Sequence, residues 1–558
     1  MPEPLVVNLR TTTDDIRRLL DSLPVRAKVA QLVMPWIAGT YAAFDDAAFL
    51  RAQGWVDSLE VGGIIVSIGS PLDIAAKLNA LQRASRLPLL IASDLEGGSA
   101  MRFTGGTAFP TNMGVGATGR ELDAYEMGRI TALEGRAVGI HLAFAPVADV
   151  NNNPANPIIN TRSFGEDPAD VARLVAAQIR GMQEHGLLAT AKHFPGHGDT
   201  GTDSHIALPV ILAPWARLDS VELVPFRAAI RSGVAGIMSA HIALPGLDSD
   251  SLRPATLTPG ILTGILRDSL GFKGLVVTDA LDMGGVVSRY GAGEAAVLAF
   301  VAGADLLLQP SDPREAINAL TAAVAAGRVS MTRLDESLRK VLEIKRRLGL
   351  FRRRTVALEY IPTVVGAAEH QIIARDVAAR SIVLARDDGT VDSLRTGPRT
   401  VTVISYSDDA SGSFGNTLAG ELRSAGHSVT TFRLFPPSGP ASYDSARVAI
   451  ANSTITIFAA SVRVVAWSGS VSMPPDVAAL IDSTAARRPT VLAAFGSPYL
   501  LNQVPLVRSY VLGWGVRPMN EQAVARALSG LAPITGHLPI TLGPDLPRGA
   551  GLQREGTP

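Results

Sequence analysis

Short apolar runs recur along the first 310 residues, and each is followed by a loop and then by a stretch with helical spacing. The runs are rich in Val, Ile, Leu and Ala, and they lie at 31–37, 63–68, 88–93, 142–146, 188–192, 234–239, 275–278 and 304–308. Apolar and polar residues do not alternate within them, which is typical of strands buried on both faces of a parallel sheet. The segments between the runs mostly predict amphipathic helices, for example at 168–185 and 214–232.

Eight such strand–helix units in about 300 residues match a (β/α)8 barrel of the TIM type. A doubly wound open sheet is the alternative that this pattern leaves open. Six further apolar runs follow and predict a smaller α/β/α sandwich; they lie at 381–385, 400–405, 428–432, 454–460, 490–495 and 509–514. The predicted domains are therefore a barrel at 1–351, a linker at 352–367, a sandwich at 368–545 and an irregular tail, rich in Pro and Gly, at 546–558.

Composition narrows the class of protein. The 558 residues are 47% hydrophobic and 18% charged, as in a globular protein with large cores. Lys and Arg together number 51 and Asp and Glu together number 51, so nothing predicts a nucleic-acid or membrane partner. The absence of Cys excludes disulfides and thiolate chemistry. The N-terminus has no basic segment followed by an apolar one, and no uncharged stretch reaches the ~18–20 apolar residues of a spanning helix, so we expect a cytoplasmic protein.

Ionisable residues stand at the ends of five predicted strands, where barrel enzymes carry their chemistry. They are Asp94, Asp149, the pair Lys192 and His193, His241 and Asp279. A single Asp at such a place is equally explained as the N-cap of the next helix. Five strand ends are harder to explain by capping, because Lys is not an N-cap residue. Asp282 is the better candidate for a cap or first-turn residue, and Asp279 for a side chain in the barrel mouth.

The loop at 191–209 is the densest cluster of candidate chemistry, and it holds Lys192, His193, His197, Asp199, Asp203 and His205 among Gly and Pro. Two interpretations stay open from the residues alone. The first is a metal site, because His and Asp bind zinc and iron. The second is acid/base catalysis, with Asp203 orienting the His205 imidazole. We assign His197 and Asp199 to hydrogen bonds that tie the loop together.

Five segments of the first 283 residues have a distinctive sequence: DLEGGSAMRF (94–103), APVADVNNNPANPIINTRSFGEDP (145–168), KHFPGHGDTGTDSH (192–205), IMSAHIALPGLD (237–248) and VVTDALDM (276–283). With these segments, in this order, the sequence resembles the β-N-acetylglucosaminidase branch of family 3 glycoside hydrolases. Three segments resemble the second domain of the family less specifically, namely RSIVLAR (380–386), FGSPYLL (495–501) and GHLPITL (536–542). The resemblance covers nearly the whole chain.

The resemblance implies a retaining exo-glycosidase that releases terminal β-linked N-acetylglucosamine. Asp279 would be the nucleophile that forms the glycosyl-enzyme, and His205, paired with Asp203, would be the acid/base. The residues implied in substrate binding are Asp94, Arg102, Arg162, Lys192, His193, His241 and Met283. The family needs no metal or cofactor, which weakens the metal interpretation of the loop.

A His in the acid/base role has a chemical consequence. Imidazole titrates near pH 6.5 without help from its surroundings, and its base form is neutral, so it repels an incoming phosphate less than a carboxylate does. Phosphorolysis, which releases a sugar 1-phosphate, is therefore the second hypothesis, and a broad β-glucosidase is the third. A catalytically silent carbohydrate-binding protein is the weakest, since Asp279, Asp203 and His205 are all present.

The expected partners are an N-acetylglucosaminide and, for phosphorolysis, inorganic phosphate; a homodimer is left open. The natural substrate is also open among cell-wall fragments that are recycled, chitin oligosaccharides and other glycans. Gly196, Gly198 and Gly201 suggest that the catalytic loop closes over substrate. In the second domain, Trp467, Ser468 and Met473 lie in a loop and either reach substrate or pack.

Overall fold

The computed structural model describes residues 12–247, 252–408, 412–464 and 471–556. The chain divides into two compact units. The first comprises Met1–Thr107, Tyr125–Asp149 and Val175–His370, and the second comprises Ala108–Ala124, Val150–Leu174 and Gln371–Pro558. Each unit is built around its own β-sheet.

The first unit contains parallel strands joined by helices. The strands are β1 (Val33–Met34), β2 (Trp36–Ala38), β3 (Gly63–Ser67), β4 (Leu90–Ser93), β5 (Leu142–Ala143), β6 (Leu188–Phe194), β7 (Gly236–Ser239), β8 (Leu275–Val277) and β9 (Leu307–Leu308). Strands β2 to β8 pair in chain order, and β1, which only Pro35 separates from β2, pairs with β9. Leu306 forms a parallel bridge to Val277 of β8, so the pairings lead from β8 back to β1.

Burial explains why these residues form strands. Every residue of β3, β4, β7 and β8 is buried, as expected for apolar runs without alternation. Each of the eight predicted runs contains a strand, and the predicted α/β class with a parallel sheet is confirmed. The strands are shorter than the apolar runs at β5 and β9, where two residues pair.

The α-helices in the described ranges are α1 (Thr13–Ser22), α2 (Val25–Ala30), α3 (Ala47–Asp57), α4 (Pro71–Ala84), α5 (Asn112–Thr118), α6 (Glu121–Ala137), α7 (Pro168–Glu184), α8 (Trp215–Ser220), α9 (Leu223–Arg231), α10 (Gly284–Val287), α11 (Ala292–Ala302), α12 (Pro313–Ala325), α13 (Met331–Arg347), α14 (Ile361–Val364), α15 (Ala368–Ser381), α16 (Thr390–Arg395), α17 (Asn416–Ser424), α18 (Pro440–Ala451), α19 (Pro475–Ala485) and α20 (Pro518–Leu528). A helix with wider, π-type turns spans Gly260–Ser269. None of the helices in these ranges has the length and apolar composition of a bilayer-spanning segment.

The helix expected at 214–232 is in fact two helices, α8 and α9, separated at Val221. Pro225 explains the break. A proline inside a helix removes one hydrogen bond and clashes with the carbonyl four residues earlier, which here belongs to Val221. Pro225 instead lies in the first turn of α9, where a proline is tolerated.

The second unit contains a six-stranded sheet. Its strands are β10 (Val383–Arg386), β11 (Thr400–Ser407), β12 (Ser428–Leu434), β13 (Ile455–Ser461), β14 (Thr490–Ala494) and β15 (Ser509–Leu512). They lie in the order β10, β15, β14, β13, β11, β12, and all neighbours are parallel except β10 and β15. Each of the six predicted runs in this part of the chain overlaps one of these strands.

Helices cover both faces of this sheet. Alternate strand residues belong to two apolar clusters, so that Ile404 and Phe458 pack with α18 and α19, whereas Val403 and Ile457 pack with α17 and α20. The segment 352–367 between α13 and α15 holds a 3₁₀ helix, Leu358–Tyr360, and the short helix α14.

Candidate active site

The candidate catalytic residues of the first unit lie at the carboxyl ends of its strands. Asp94 follows β4, and His193 is the penultimate residue of β6. His241 follows β7 after Ala240, and Asp279 follows β8 after Thr278. Because neighbouring strands are parallel, their carboxyl ends face the same side of the sheet. These four residues therefore lie at one side of the sheet, as the sequence pattern predicts for strand ends.

Asp94 belongs to a network of charges. Lys192 Nζ lies 2.8 Å from Asp94 Oδ1 and 2.7 Å from Glu96 Oε1, and Arg102 Nη2 lies 3.2 Å from Asp94 Oδ2. Burial by itself would raise the pKa of the Asp94 carboxyl, but Lys192 and Arg102 outweigh that effect and hold the pKa below its ordinary value. The side chain of Asp94 is 28% exposed whereas that of Lys192 is 3% exposed. Asp94 is thus a partly exposed carboxylate whose ionised form Lys192 and Arg102 stabilise.

Asp149 fixes the orientation of His193. Its Oδ2 accepts a hydrogen bond from His193 Nδ1 at 2.7 Å, and its Oδ1 accepts the main-chain N–H groups of His193 and His197 at 3.1 and 2.7 Å. Burial opposes ionisation of this carboxyl, but the His193 ring and these donors lower the pKa of Asp149 overall. With Nδ1 donating to the carboxylate, His193 turns its Nε2 edge to the other side.

Asp279 follows Thr278 directly at the end of β8. Its Oδ1 accepts the main-chain N–H of Ala280 at 2.8 Å. Burial would raise the pKa of the Asp279 carboxyl, but His193, His241, the Ala280 N–H and His205 together leave it below its ordinary value. The side chain is therefore a carboxylate at neutral pH, which is the state that a nucleophile or a base requires.

Asp282 does not cap a helix, so that expectation is wrong. Met283 occupies the N-cap of α10 and makes no side-chain capping bond. Asp282 Oδ2 instead accepts a hydrogen bond from Gln309 Nε2 at 2.9 Å. Burial, with the charge of Asp279 nearby, raises the pKa of Asp282, whereas the pKa of Asp279 is lowered. Asp279 and Asp282 are thus three residues apart, but their surroundings shift the pKa values of the two carboxyls in opposite directions.

His241 supports the main chain next to Asp279. Its Nε2 donates to the Ala280 carbonyl at 2.9 Å, and its Nδ1 lies 2.9 Å from Thr256 Oγ1. A carbonyl oxygen only accepts, so Nε2 carries the proton. Burial lowers the pKa of His241, which keeps the ring neutral at neutral pH. His241 is therefore a positioning residue for the Asp279–Ala280 segment.

The Asp203–His205 pair is formed in the structure. Asp203 Oδ1 accepts the His205 main-chain N–H at 2.9 Å and accepts from His205 Nδ1 at 2.8 Å. The Asp203 side chain is buried, whereas that of His205 is 25% exposed. A carboxylate bonded to Nδ1 fixes the tautomer with Nε2 on the exposed side of the ring.

The loop that carries this pair is hydrogen-bonded to the segment after Asp279. The N–H groups of Gly284 and Gly285 donate to the carbonyls of His205 and Ser204, each at 3.2 Å. A Cβ atom at Gly284 would lie 2.6 Å from the His205 carbonyl oxygen. The loop is therefore seated against α10 without room for a side chain between them.

A second set of contacts anchors the start of the loop. Arg217 Nη2 lies 3.4 Å from both Asp199 Oδ2 and Glu222 Oε1. Gly196 has φ +134°, and a Cβ there would lie 2.7 Å from Glu222 Cβ. His197 Nδ1 lies 2.8 Å from Thr200 Oγ1, and burial lowers the pKa of His197 to about 4. His197 and Asp199 thus make contacts of the loop-tying kind that we expected.

The remaining predicted residues lie as follows. Met283 is buried at the N-cap of α10. Arg162 belongs to the second unit, where its Nη1 donates to the Ile158 carbonyl at 2.8 Å. Met473 is buried in an apolar cluster of that unit, in accordance with a packing role. Trp467 and Ser468 lie outside the described residues.

Sequence reasoning missed Glu96 as a partner of Lys192 and Asp149 as the carboxylate that holds His193. Both signals are present in the sequence, because Glu96 stands two residues after Asp94 and Asp149 follows the fourth apolar run. Their partners lie 96 and 44 residues further along the chain. Only the packing of strand ends brings such groups together.

Comparisons with known proteins extend these observations. The model of the glycosyl hydrolase family 3 N-terminal domain matches residues 24–344. A β-N-acetylglucosaminidase/β-glucosidase of Cellulomonas fimi is 33% identical over 507 residues, which cover 86% of this chain and 88% of that protein. The structure of a family 3 β-N-acetylglucosaminidase from Paenibacillus sp. str. FPU-7 is 34% identical with a TM-score of 0.83, over 93% of this chain and 99% of that one. A β-glucoside phosphorylase structure is 25% identical with a TM-score of 0.86, over 97% and 98% of the two chains.

Proposed function

The chain belongs to glycosyl hydrolase family 3 and is a glycoside hydrolase, and from this premise we propose that it is a retaining exo-glycosidase that releases terminal β-linked N-acetylglucosamine. The names of the Cellulomonas and Paenibacillus relatives support this substrate. In this proposal the first unit is a (β/α)8 barrel that carries the catalytic groups, and the second is an α/β/α sandwich. The circuit of parallel pairings in the first unit supports the barrel.

The first chemical step forms a covalent intermediate. The Asp279 carboxylate attacks the anomeric carbon, and the bond from that carbon to the glycosidic oxygen breaks. His205 Nε2–H gives its proton to the departing oxygen, so that a neutral alcohol leaves. The glycosyl group is then an ester of Asp279, with inverted configuration at the anomeric carbon.

The second step restores the enzyme. The neutral His205 accepts a proton from water as the water oxygen attacks the anomeric carbon from the opposite side. The ester bond breaks, Asp279 leaves as a carboxylate and His205 is again protonated. Two inversions give net retention of configuration.

The observation that carries this proposal is the hydrogen bonding of both catalytic groups to one short segment. Asp279 accepts the Ala280 N–H, and the His205 carbonyl accepts the Gly284 N–H four residues later. The lowered pKa of Asp279 supports a nucleophile that is ionised before substrate arrives. The Asp203 carboxylate supports His205 by stabilising the imidazolium form that donates the proton.

Sugar binding in this proposal uses the charged network beside the catalytic groups. The Asp94 carboxylate accepts hydroxyl protons, while Lys192 and Arg102 donate to hydroxyl oxygens. His193 directs its Nε2 edge towards the sugar, because Nδ1 is bonded to Asp149. Polar groups held in place by such partners discriminate between sugars, because a sugar that lacks a matching hydroxyl leaves one of these groups without a hydrogen bond.

Steady-state kinetics on two matched aryl glycosides tests the proposed preference for N-acetylglucosamine. We expect p-nitrophenyl β-N-acetylglucosaminide to be cleaved with a higher kcat/KM than p-nitrophenyl β-glucoside. The product of the first turnover should be the β-anomer, measured by NMR before mutarotation. Equal or better cleavage of the glucoside would instead favour a broad β-glucosidase, and an α-anomeric product would contradict the retaining mechanism.

Phosphorolysis is the second candidate function. The similar fold of the β-glucoside phosphorylase favours it, as does an acid/base whose basic form is uncharged. In this case phosphate replaces water in the second step, and the product is a sugar 1-phosphate. Cleavage in phosphate and in a non-phosphate buffer of equal ionic strength separates the two: a much faster reaction with sugar 1-phosphate as product would replace hydrolysis by phosphorolysis.

A further inference from the structure

A cavity of about 730 Å³ lies at the opposite end of the first unit from the catalytic groups. Its lining includes the end of α6, the residue before β5 and the segment that follows α13. His141 immediately precedes β5, so the cavity lies at the amino-terminal side of the strands. None of the proposed catalytic or sugar-binding residues is among the residues that line it.

Four arginines line this cavity without any carboxylate in the lining: Arg136, Arg352, Arg353 and Arg354. Arg136 Nη1 donates to the Ile140 carbonyl at 3.1 Å, and Arg354 Nη1 donates to the Ser85 carbonyl at 2.9 Å. These acceptors are neutral. Within the described ranges none of the four guanidinium groups forms an ion pair with a carboxylate.

His141 adds a hydrogen-bond donor to the wall. The residue is 3% exposed, and its Nδ1 accepts the main-chain N–H of Ile91 at 3.0 Å. The proton of the neutral ring is therefore on Nε2. That N–H has no hydrogen-bond partner in the part of the chain that the structure describes, and the ring lines the cavity. Since the ring lines the cavity, an anionic oxygen bound there would accept this hydrogen bond.

Lys345 is a buried lysine close to Arg354 of the lining. Lys345 Nζ donates to Gln31 Oε1 at 2.8 Å. Burial and the charge of Arg354 lower the pKa of Lys345 to about 7. Burial, with Arg136 and Lys345, also lowers the pKa of His141. These neighbouring cationic groups create a positive electrostatic potential, and a bound anion would lower their mutual repulsion.

Apolar and aromatic side chains form much of the remaining lining. Leu133, Leu350, Val356 and Tyr360 contribute to it. Asn79 holds Val356 through two hydrogen bonds to its main chain, at 2.8 and 2.9 Å. A volume of this size is within the range of about 300–1,000 Å³ that holds small-molecule ligands and exceeds what a single inorganic ion fills.

We propose that this cavity binds a phosphomonoester that carries a ring, in the size range of a sugar phosphate or a nucleoside monophosphate. Guanidinium groups match phosphate oxygens in pairs, and the His141 Nε2–H supplies a further donor. The apolar wall with Tyr360 contacts the ring. This site is separate from the catalytic groups and does not depend on the proposed function.

Calorimetric titration of the full chain at low ionic strength tests this site, with AMP, glucose 6-phosphate and inorganic phosphate as probes. We expect at least one ring-bearing probe to bind with a Kd at least tenfold lower than that of inorganic phosphate. The double variant Arg352→Ser/Arg353→Ser should weaken that binding at least about tenfold, because both residues are exposed and their loss removes two charge-assisted donors. Tighter binding of AMP than of the sugar phosphate would assign the Tyr360 wall to a planar base, and the reverse order would assign it to a sugar ring.

The matched control is Arg17→Ser/Arg18→Ser, an exposed neighbouring pair on α1 that changes the net charge equally. It should bind the probe as the unaltered chain does. The cavity variant should retain its kcat/KM on the aryl glycoside, which shows that it is folded. Absence of binding by all three probes, equal binding of inorganic phosphate, or equal weakening in both double variants would overturn the proposal.

Discussion

At the scale of single residues, Asp279 is half-buried and yet has a lowered pKa, which are opposing tendencies for a carboxyl group. Burial alone would favour the neutral acid. The histidines around it and the Ala280 N–H reverse that preference. In the proposed mechanism such an ionised nucleophile needs no base of its own, so the imidazole of His205 serves proton transfer to the leaving group.

Replacement of the nucleophile tests this assignment of roles. Asp279→Asn keeps the shape of the side chain but removes the charge that attacks the anomeric carbon in the proposed mechanism. We expect kcat/KM on p-nitrophenyl β-N-acetylglucosaminide to fall by about 10³-fold or more. Asp268→Asn, at an exposed position on the helix Gly260–Ser269, is the matched control and should retain activity. Activity of Asp279→Asn within tenfold of the unaltered chain would be incompatible with a nucleophilic role.

Substrates with different leaving groups test the role of Asp203, the hydrogen-bond partner of the His205 imidazole. Asp203→Asn removes the carboxylate that accepts from His205 Nδ1 and that, in the proposed mechanism, stabilises the imidazolium. We expect losses of about 10²–10⁴-fold with a poor leaving group such as the second sugar of a chitin disaccharide. The loss should be much smaller with p-nitrophenol, which leaves without full protonation. Equal losses with both leaving groups would contradict proton donation by this pair.

How far the sequence predicts the site depends on the distance between partners along the chain. Asp203 and His205 are two residues apart, so the sequence alone predicts their pairing within one loop. The pairing of Asp149 with His193 spans 44 residues and depends on which strands are neighbours. The roles of His241 and Asp282 depend on hydrogen bonds to Ala280 and Gln309, which no local pattern reveals.

At the scale of elements, the catalytic loop and α10 form one assembly. The carbonyls of Ser204 and His205 accept the first N–H groups of α10, which would otherwise lack partners at the helix start. The helix thus orients the loop, and the loop caps the helix. Displacement of either element would move the His205 ring relative to Asp279.

Substitution of Gly284 measures how strongly activity depends on the contact between the catalytic loop and α10. In Gly284→Ala the added Cβ would lie 2.6 Å from the His205 carbonyl oxygen and 2.8 Å from that of Ile206, so the loop must shift. We expect kcat/KM to fall by about 10- to 100-fold, because misplacement by about 1 Å is enough for losses of this size. Gly264→Ala is the matched control, since nothing lies within 4 Å of a Cβ there. Equal activity of the two variants would show that the position of the loop does not matter.

The elements themselves follow from the sequence more closely than their contacts do. Unalternated apolar runs locate the strands because both faces of a parallel sheet are buried. The division between α8 and α9 was missed, although Pro225 carries the signal, because amphipathic spacing continues through Val221. Periodicity describes which face is apolar and not whether the backbone is continuous.

At the scale of the whole molecule, the two compact units are not contiguous in sequence. Residues 108–124 and 150–174 belong to the second unit although they lie within the part of the chain that forms the first. Apolar patterning is read along the chain, so it yields contiguous segments. The assignment of such insertions depends on tertiary packing, for example the hydrogen bond from Asn151 Nδ2 to the Tyr499 hydroxyl at 2.9 Å.

The stability of the fold should depend on pH through the buried Lys345. Burial and Arg354 lower the pKa of Lys345 from 10.5 to about 7 in the folded protein. Below pH 7 the folded protein therefore holds a buried charge, which lowers the free energy of unfolding. Between about pH 7 and 10.5 the folded protein has lost this proton while the unfolded chain still binds it, so the penalty fades as the pH rises.

Chemical denaturation of Lys345→Met measures this penalty. The variant should gain free energy of unfolding relative to the unaltered chain, and the gain should be larger at pH 6 than at pH 10 by about 2–4 kcal/mol. Comparison at the two pH values removes the constant cost of leaving Gln31 Oε1 without its donor. Lys273→Met, at an exposed position, should show no such difference. A gain that is independent of pH would mean that the ammonium group is not buried as a charge.

Mass spectrometry of the trapped glycosyl-enzyme addresses the proposed mechanism without reliance on a variant. A 5-fluoro-N-acetylglucosaminyl fluoride forms the intermediate quickly and releases it slowly, because fluorine destabilises the second transition state while fluoride is a good leaving group. After proteolysis we predict one labelled peptide, with the sugar attached to Asp279. A label on any other residue, or inactivation by the reagent without a labelled peptide, would contradict a covalent mechanism through Asp279.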